Sequence, residues 1–348
     1  MSPRDSSQFI SSSTSTGEDR SHRGNKMVDS DQTKSAEADD SSSTTSWLHP
    51  VGHITAGSIL AYAFVLFSLY FPHLLAPKAA SKTYHYAFYD YDPDKSHFDN
   101  SFWTYGTDYM LAAVMGIIIC NISTAHPVSR TLAFRSRGML LCYMASVSAG
   151  GFAHQNYTTL ESRNSLSFRL LWTVCVGTVT AASGFMGVIG TELVRRDSCK
   201  SALPIIPEIF WIAFGVAGTA VVIYGGLSFQ RPACDIFIAG ITQIPSTLYV
   251  MANLSIGLPV LNIQKLVRMA GCIGFIMNAP LLPVYPLLVQ YTDLSLAAVN
   301  TMLHCWLCLA WSAQGLTLRH VEQALARASG PPMTAVPVKQ NNGKNKNQ

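Results

Sequence analysis

Charge is what this chain has least of. Asp, Glu, Lys and Arg make up 13% of its 348 residues, against roughly 25% in a soluble globular domain. That shortage excludes an ordinary soluble domain. Cysteine is sparse as well. The eight cysteines fall mostly inside apolar stretches or at their ends, which excludes a spaced extracellular disulfide framework. No P-loop, Rossmann fingerprint, G-x-S-x-G elbow or HExxH occurs, which argues against nucleotide-driven, serine-hydrolase and zincin chemistry. No apolar h-region stands near the start, so a cleavable signal peptide is not expected and the first hydrophobic stretch is read as the insertion signal.

What is abundant is apolar mass, 49% of the chain, concentrated in residues 51–316. Residues 1–46 instead hold fourteen serines, eight acidic and five basic residues. Such a segment buries too little surface to offset its ordering entropy and reads as a disordered cytoplasmic tail. Residues 319–348 read as a second one. Between them, residues 47–318 carry eight apolar stretches, near 52–76, 104–124, 138–155, 167–192, 205–226, 235–256, 269–290 and 295–316. Each is close to the ~20 residues that a bilayer demands. The expected fold is all-α, a polytopic transmembrane helical bundle of about eight spans.

Lys and Arg set orientation, because basic loops are retained on the cytoplasmic side. From residue 125 onward the connections carry three (Arg130, Arg135, Arg137), one (Arg163), three (Arg195, Arg196, Lys200), one (Arg231), two (Lys265, Arg268) and none. The alternation puts both tails in the cytoplasm and the loop at 77–103 on the outer or luminal face. Membrane lipid is the expected partner, and nucleic acid is not.

Ionisable groups at membrane depth are costly and mark functional positions by default. Here they are Asp108, His154, Arg169, Glu192, Glu208, Asp235 and His304. Asp108, His154, Arg169, Asp235 and His304 fall in the outer half or near the midplane. Asn300 and His304, four residues apart, lie one turn apart on one helical face. Gly150 and Gly151 stand one turn before His154, where small residues let a neighbouring helix or ligand approach the backbone closely.

Two readings of this group stand open. Two histidines and an aspartate from three spans are able to hold zinc with an open position for water, whose pKa would fall to roughly 7. A buried neutral histidine paired with Asp or Asn across helices is also a common way of fixing a bundle. Depth separates the two histidines, since His304 lies about ten residues, or ~15 Å, inside its stretch while His154 is near an edge. They meet only if the last span starts later than drawn or the site opens as a deep cavity.

The order TDYxLA, GGxxH and NxxxH in successive and final spans resembles a group of uncharacterised multi-pass membrane proteins. It is more distantly similar to the seven-span hydrolase superfamily that includes the alkaline ceramidases and the progestin and adipoQ receptors. That resemblance implies one extra span followed by a seven-span core, and a zinc cofactor. His154 would take the second-span histidine position, His304 the second histidine of the last span, and Asn300 the place of the first. Gly150 stands where the superfamily has serine. The region of its assisting aspartate, Glu161 to Ser165, offers Glu161 and Asn164 instead. The implied activity is hydrolysis of a lipid amide or ester, with His154, Asn300 and His304 at the metal and Asp108 orienting a ligand or shuttling a proton. The alternative is a receptor or transporter that uses the same residues as a polar core or proton relay.

Three further features carry expectations. In the aromatic loop 84–103, Asp90, Asp92 and Asp94 mimic a calcium loop, yet Lys95 and Ser101 occupy its glycine and glutamate positions, which rejects an EF-hand. The loop is instead read as seated at the interface, where it would cover the outer opening. Pro280, Pro283 and Pro286 predict a kinked or partly unwound seventh stretch. Gly184, Gly187 and Gly190 predict a close helix contact.

Overall fold

A computed structural model describes residues 56–60, 98–196, 203–228, 236–256 and 263–329. Most of the first apolar stretch, loop residues 84–97, Asp235, Cys199, Cys234, residues 1–46 and residues 330–348 lie outside the described residues. Among the described residues the protein is all-helical, with no strand. The helices are α1 (Phe102–Asn121), α2 (Arg130–Asn156), the short α3 (Leu160–Asn164), α4 (Leu166–Arg196), α5 (Glu208–Ser228), α6 (Ile236–Ile256), α7 (Lys265–Tyr291) and α8 (Leu296–Ala328). Helix α1, α4 and α8 are long and apolar enough to cross a membrane.

Each long helix occupies one of the apolar stretches, and the boundaries move where burial continues past the hydrophobic run. Helix α2 starts eight residues before the stretch drawn at 138, because Leu132, Ala133 and Ser136 are fully buried. Helix α8 runs through residues 319–328, which the sequence assigned to a tail. Val321, Glu322, Ala324 and Leu325 are buried, so this last segment adds an inward face at helical spacing. Helix α7 is uninterrupted through Pro280, Pro283 and Pro286, so the expected unwinding is not found. A proline removes one donor, and at these three positions the helix continues.

Packing runs as a ring: α1 against α2, α2 against α4, α4 against α6, α6 against α7, α7 against α8 and α8 back against α1, with α5 laid on α4. The predicted glycine contact on α4 is present. The α-carbon of Gly184 lies 2.9 Å from where a Cβ on Gly215 of α5 would stand, and the corresponding position on Gly187 falls 2.1 Å from the Trp211 ring. A Cβ on Gly190 would stand 2.5 Å from the Tyr249 ring of α6. Backbones come this close only where side chains are missing.

A polar layer crosses the interior of the ring. Tyr143 of α2 stacks flat on Trp311 of α8, with ring centroids 4.1 Å apart. Trp311 donates its indole N–H to Asn278 Oδ1 at 2.8 Å, and Asn278 Nδ2 donates to Gln243 Oε1 of α6. Gln243 Nε2 reaches the Val179 carbonyl of α4 at 2.9 Å. Tyr143 OH donates to Gln314 Oε1 at 3.3 Å, and Gln314 Nε2 donates to the Gly274 carbonyl at 3.0 Å. Buried amides demand such partners, so five helices are fixed in one register.

Candidate functional site

The site sits where the start of α1, the end of α2 and the first turns of α8 meet. Asp99, two residues before the N-cap Ser101 of α1, is its hub. The Asp99 carboxylate accepts from the Ser101 backbone N–H and hydroxyl, each at 3.0 Å, from the Thr104 hydroxyl, and from Asn300 Nδ2 of α8 at 3.4 Å. An Asx turn ahead of a helix makes these bonds locally, and the N-terminal end of α1 favours an anion. Burial pushes the Asp99 pKa up, but the hydrogen bonds from Thr104, Ser101 and Asn300 outweigh it and hold the group below its ordinary value. Asp99 is therefore read as an ionised acceptor.

The same short segment ties down the end of α2. Asn100 Nδ2 donates to the carbonyls of His154 and Tyr157 at 2.5 and 3.2 Å, satisfying acceptors that a helix end leaves without intrahelical partners. His154 Nδ1 lies 2.6 Å from the Asp99 carbonyl. A carbonyl only accepts, so Nδ1 carries the proton and Nε2 keeps its lone pair. The His154 ring is sandwiched by aromatic neighbours, stacked on Phe98 at 4.3 Å and edge-on to Trp172 at 5.7 Å.

One turn deeper, Asp108 and His304 face each other. His304 Nε2 is 3.3 Å from Asp108 Oδ1, and both side chains are almost wholly buried. The other ring nitrogen, His304 Nδ1, is 2.9 Å from Thr107 Oγ1. That hydroxyl also sits 2.6 Å from the Trp103 carbonyl and 2.9 Å from the Thr104 carbonyl. Its single proton goes to a carbonyl, so it accepts from His304 Nδ1–H. One further proton, on either His304 Nε2 or Asp108 Oδ1, would let the two atoms face each other as a neutral pair. With none between them, two buried lone pairs would oppose each other at a cost that burial makes severe.

Asp108 Oδ2 has no hydrogen-bond partner and is shielded from solvent. It fits because α2 presents two glycines there. A Cβ on Gly150 would stand 3.5 Å from Oδ2, and one on Gly151 would stand 3.0 Å from the Asp108 β-carbon. The expected close approach at these glycines is thus made by the Asp108 side chain itself.

Of the residues singled out from sequence, Asp108, His154, Asn300 and His304 all belong to this end of the bundle. They form two linked clusters: Asp99 binds His154 and Asn300, while Thr107 and Asp108 bind His304. The two histidines have different partners. Asn300 reaches Asp99, ahead of α1, and His304 one turn later reaches Thr107 and Asp108 inside it. Among the described residues no group of three His, Cys, Asp or Glu side chains is placed to hold a metal ion. Glu161 is exposed on α3, and Glu192 and Glu208 pair with arginines near the ends of α4 and α5 remote from Leu166.

The role of Asp99 as the hub, and the supporting roles of Asn100, Thr104 and Thr107, are not legible in the sequence. Asp99 was visible only as one of several aspartates in the aromatic loop. Gln243, Asn278 and Gln314 stand out less in the sequence, because an amide at depth carries the signal of an ionisable group more weakly.

Comparison with known proteins leaves this geometry to stand alone: no family model matches the chain, and no similar curated protein or solved structure is found.

Proposed function

We propose that the chain is a multi-pass membrane protein of about eight spans, both tails cytoplasmic, whose outer-end polar site works as a proton-carrying relay in a receptor or transporter. The span count and orientation rest on the eight apolar stretches and on the alternation of Lys and Arg. The observation that carries the functional reading is the Asp108–His304 pair, a carboxylate oxygen and a ring nitrogen buried 3.3 Å apart. Ionisable residues buried in a span mark proton relays and ion pathways. The unpartnered Oδ2 beside Gly150 gives the pair an acceptor for an incoming proton or polar solute.

A zinc-dependent lipid amidase is the second reading, supported by His154. Its Nδ1 is fixed on a backbone carbonyl, the outer partner a zinc-ligating histidine usually has, and its Nε2 is left as a donor atom. In that reading His154, His304 and Asn300 would hold the metal, and zinc would supply a hydroxide at neutral pH.

One preparation separates the two. The full chain, purified in mild detergent without chelator, is assayed for bound metal, and its carboxyl vibrations are followed by infrared difference spectroscopy. The relay reading expects no stoichiometric zinc and a protonation-sensitive carboxyl signal that disappears in Asp108→Asn. About one zinc per chain, lost in both His154→Ala and His304→Ala, overturns it in favour of the hydrolase.

A further inference from the structure

Far from that site, at the other end of α4, a groove of about 600 Å³ opens between α4 and α5. Its walls are apolar: Phe185 and Val188 of α4, and Ile212, Val216 and Ile223 of α5. Phe185, Ile212, Val216 and Ile223 are all exposed. Gly184 and Gly215, which bring the two helices together, form part of the lining. Residues 56–60 lie elsewhere on α5, with Gly57 against Phe210, Ala213 and Phe214, so that segment does not fill the groove.

One end of the groove is charged. Arg135 and Glu208 line it, and they belong to a cluster of three arginines and two glutamates. Arg135 donates to Glu192 at 3.1 Å and to Glu208 at 2.7 Å. Arg196 donates to Glu192 at 2.5 Å, and Arg195 to Glu208. The two carboxylates cannot neutralise three guanidiniums, so the cluster keeps one net positive charge. Arg195 is the most exposed of the three, and its other donors suit a phosphate fork. An apolar trough with a cationic end matches an amphipath with an anionic head.

We infer that this groove binds one anionic phospholipid, an acyl chain lying between α4 and α5 and the phosphate on Arg195 beside Arg135. Headgroup charge decides selectivity here, because every phospholipid offers the same chain. In the orientation proposed above, the cluster lies on the cytoplasmic side, where anionic lipids concentrate. The inference rests on the membrane reading of the chain and not on the Asp108–His304 relay, so either can fail without the other.

The test is native mass spectrometry of the full chain in detergent, titrated with phosphatidylglycerol or phosphatidylcholine of identical chains. The wild type should retain one phosphatidylglycerol roughly tenfold more tightly than phosphatidylcholine, a difference of about 1.4 kcal/mol. Arg195→Ala should bring the two lipids to near parity, and Val216→Trp, which fills the exposed groove, should remove the bound lipid of either kind. Circular dichroism shows whether each variant remains folded, and the pair of variants keeps the test decisive if one does not. Equal retention of both lipids by the wild type means annular contact only and overturns the proposal. Displacement by inorganic phosphate as effective as by the lipid also overturns it, by removing the acyl chain from recognition.

Discussion

Trp311 donates its indole N–H to Asn278 Oδ1 at 2.8 Å while its ring lies face to face with Tyr143. One side chain thereby fixes α8 to both α7 and α2. Asn278→Leu strands the Trp311 donor and the Gln243 acceptor in the interior. Interhelical hydrogen bonds in membranes average ~0.6 kcal/mol and reach ~1.7, so the loss of Asn278's three, with Trp311, Gln243 and Tyr143, should cost about 2–5 kcal/mol. Thermal unfolding in detergent should show a lowered Tm, and an unchanged Tm would mean that the layer is not closed.

Gly150 and Gly151 differ by one position and should respond in opposite senses. A Cβ at 150 meets Cys175 and Asp108 at ordinary contact distances, 3.4 and 3.5 Å, whereas one at 151 meets Asp108 and Tyr109 at 3.0 and 3.1 Å. Gly150→Ser places a hydroxyl beside the unpartnered Asp108 Oδ2 and removes a helix-interior glycine, each worth up to about 1 kcal/mol. It should raise Tm. Gly151→Ala should lower it, and a matched response of the two variants would contradict the placement of Asp108.

Asp99 gives stability a dependence on acid. Its folded pKa is held below the ordinary value, so its contribution is fully present above the unfolded value near ~3.9 and is lost as pH falls through the folded pKa. The wild type should exceed Asp99→Asn in Tm at neutral pH, and the gap should shrink below about pH 4. A gap that stays constant from neutral to acid pH would show that the hydrogen bonds at Asp99 do not depend on its charge.

Gly187 has no room to grow. An added Cβ would lie 2.1 Å from the Trp211 ring, and overpacking of this kind costs about 1–3 kcal/mol. Gly187→Ala should therefore lower Tm, with the α4–α5 contact as its cause. The double variant Gly187→Ala, Trp211→Leu should lose less stability than the two single changes added together. Strict additivity would mean that the two residues do not touch.

The all-helical character, with helices long and apolar enough to cross a membrane, was legible because burial in an apolar setting leaves a period and a length: α1, α4 and α8 announce themselves as runs that few charges interrupt. The close contact along Gly184, Gly187 and Gly190 was legible for a similar reason, since only missing side chains permit it. The end of α8 was not, because Glu322 and its neighbours look like a polar tail until a partner helix shows which face they bury. The four candidate residues Asp108, His154, Asn300 and His304 stood out by being polar where polarity is expensive.

Which of those four touch was decided only in three dimensions. Sequence places Asn300 and His304 on one helical face, but the height of α8 against α1 determines that one meets Asp99 and the other Asp108. Asp99 itself carries no signal that distinguishes it from the other aspartates of its loop. Its role comes from the chain turning into α1 over the end of α2, where its carbonyl meets His154 and its carboxylate meets α8. Side-chain chemistry is written along the chain, and contact geometry arises from how whole helices slide past one another. A shift of one turn, which no local pattern records, exchanges every partner at the site.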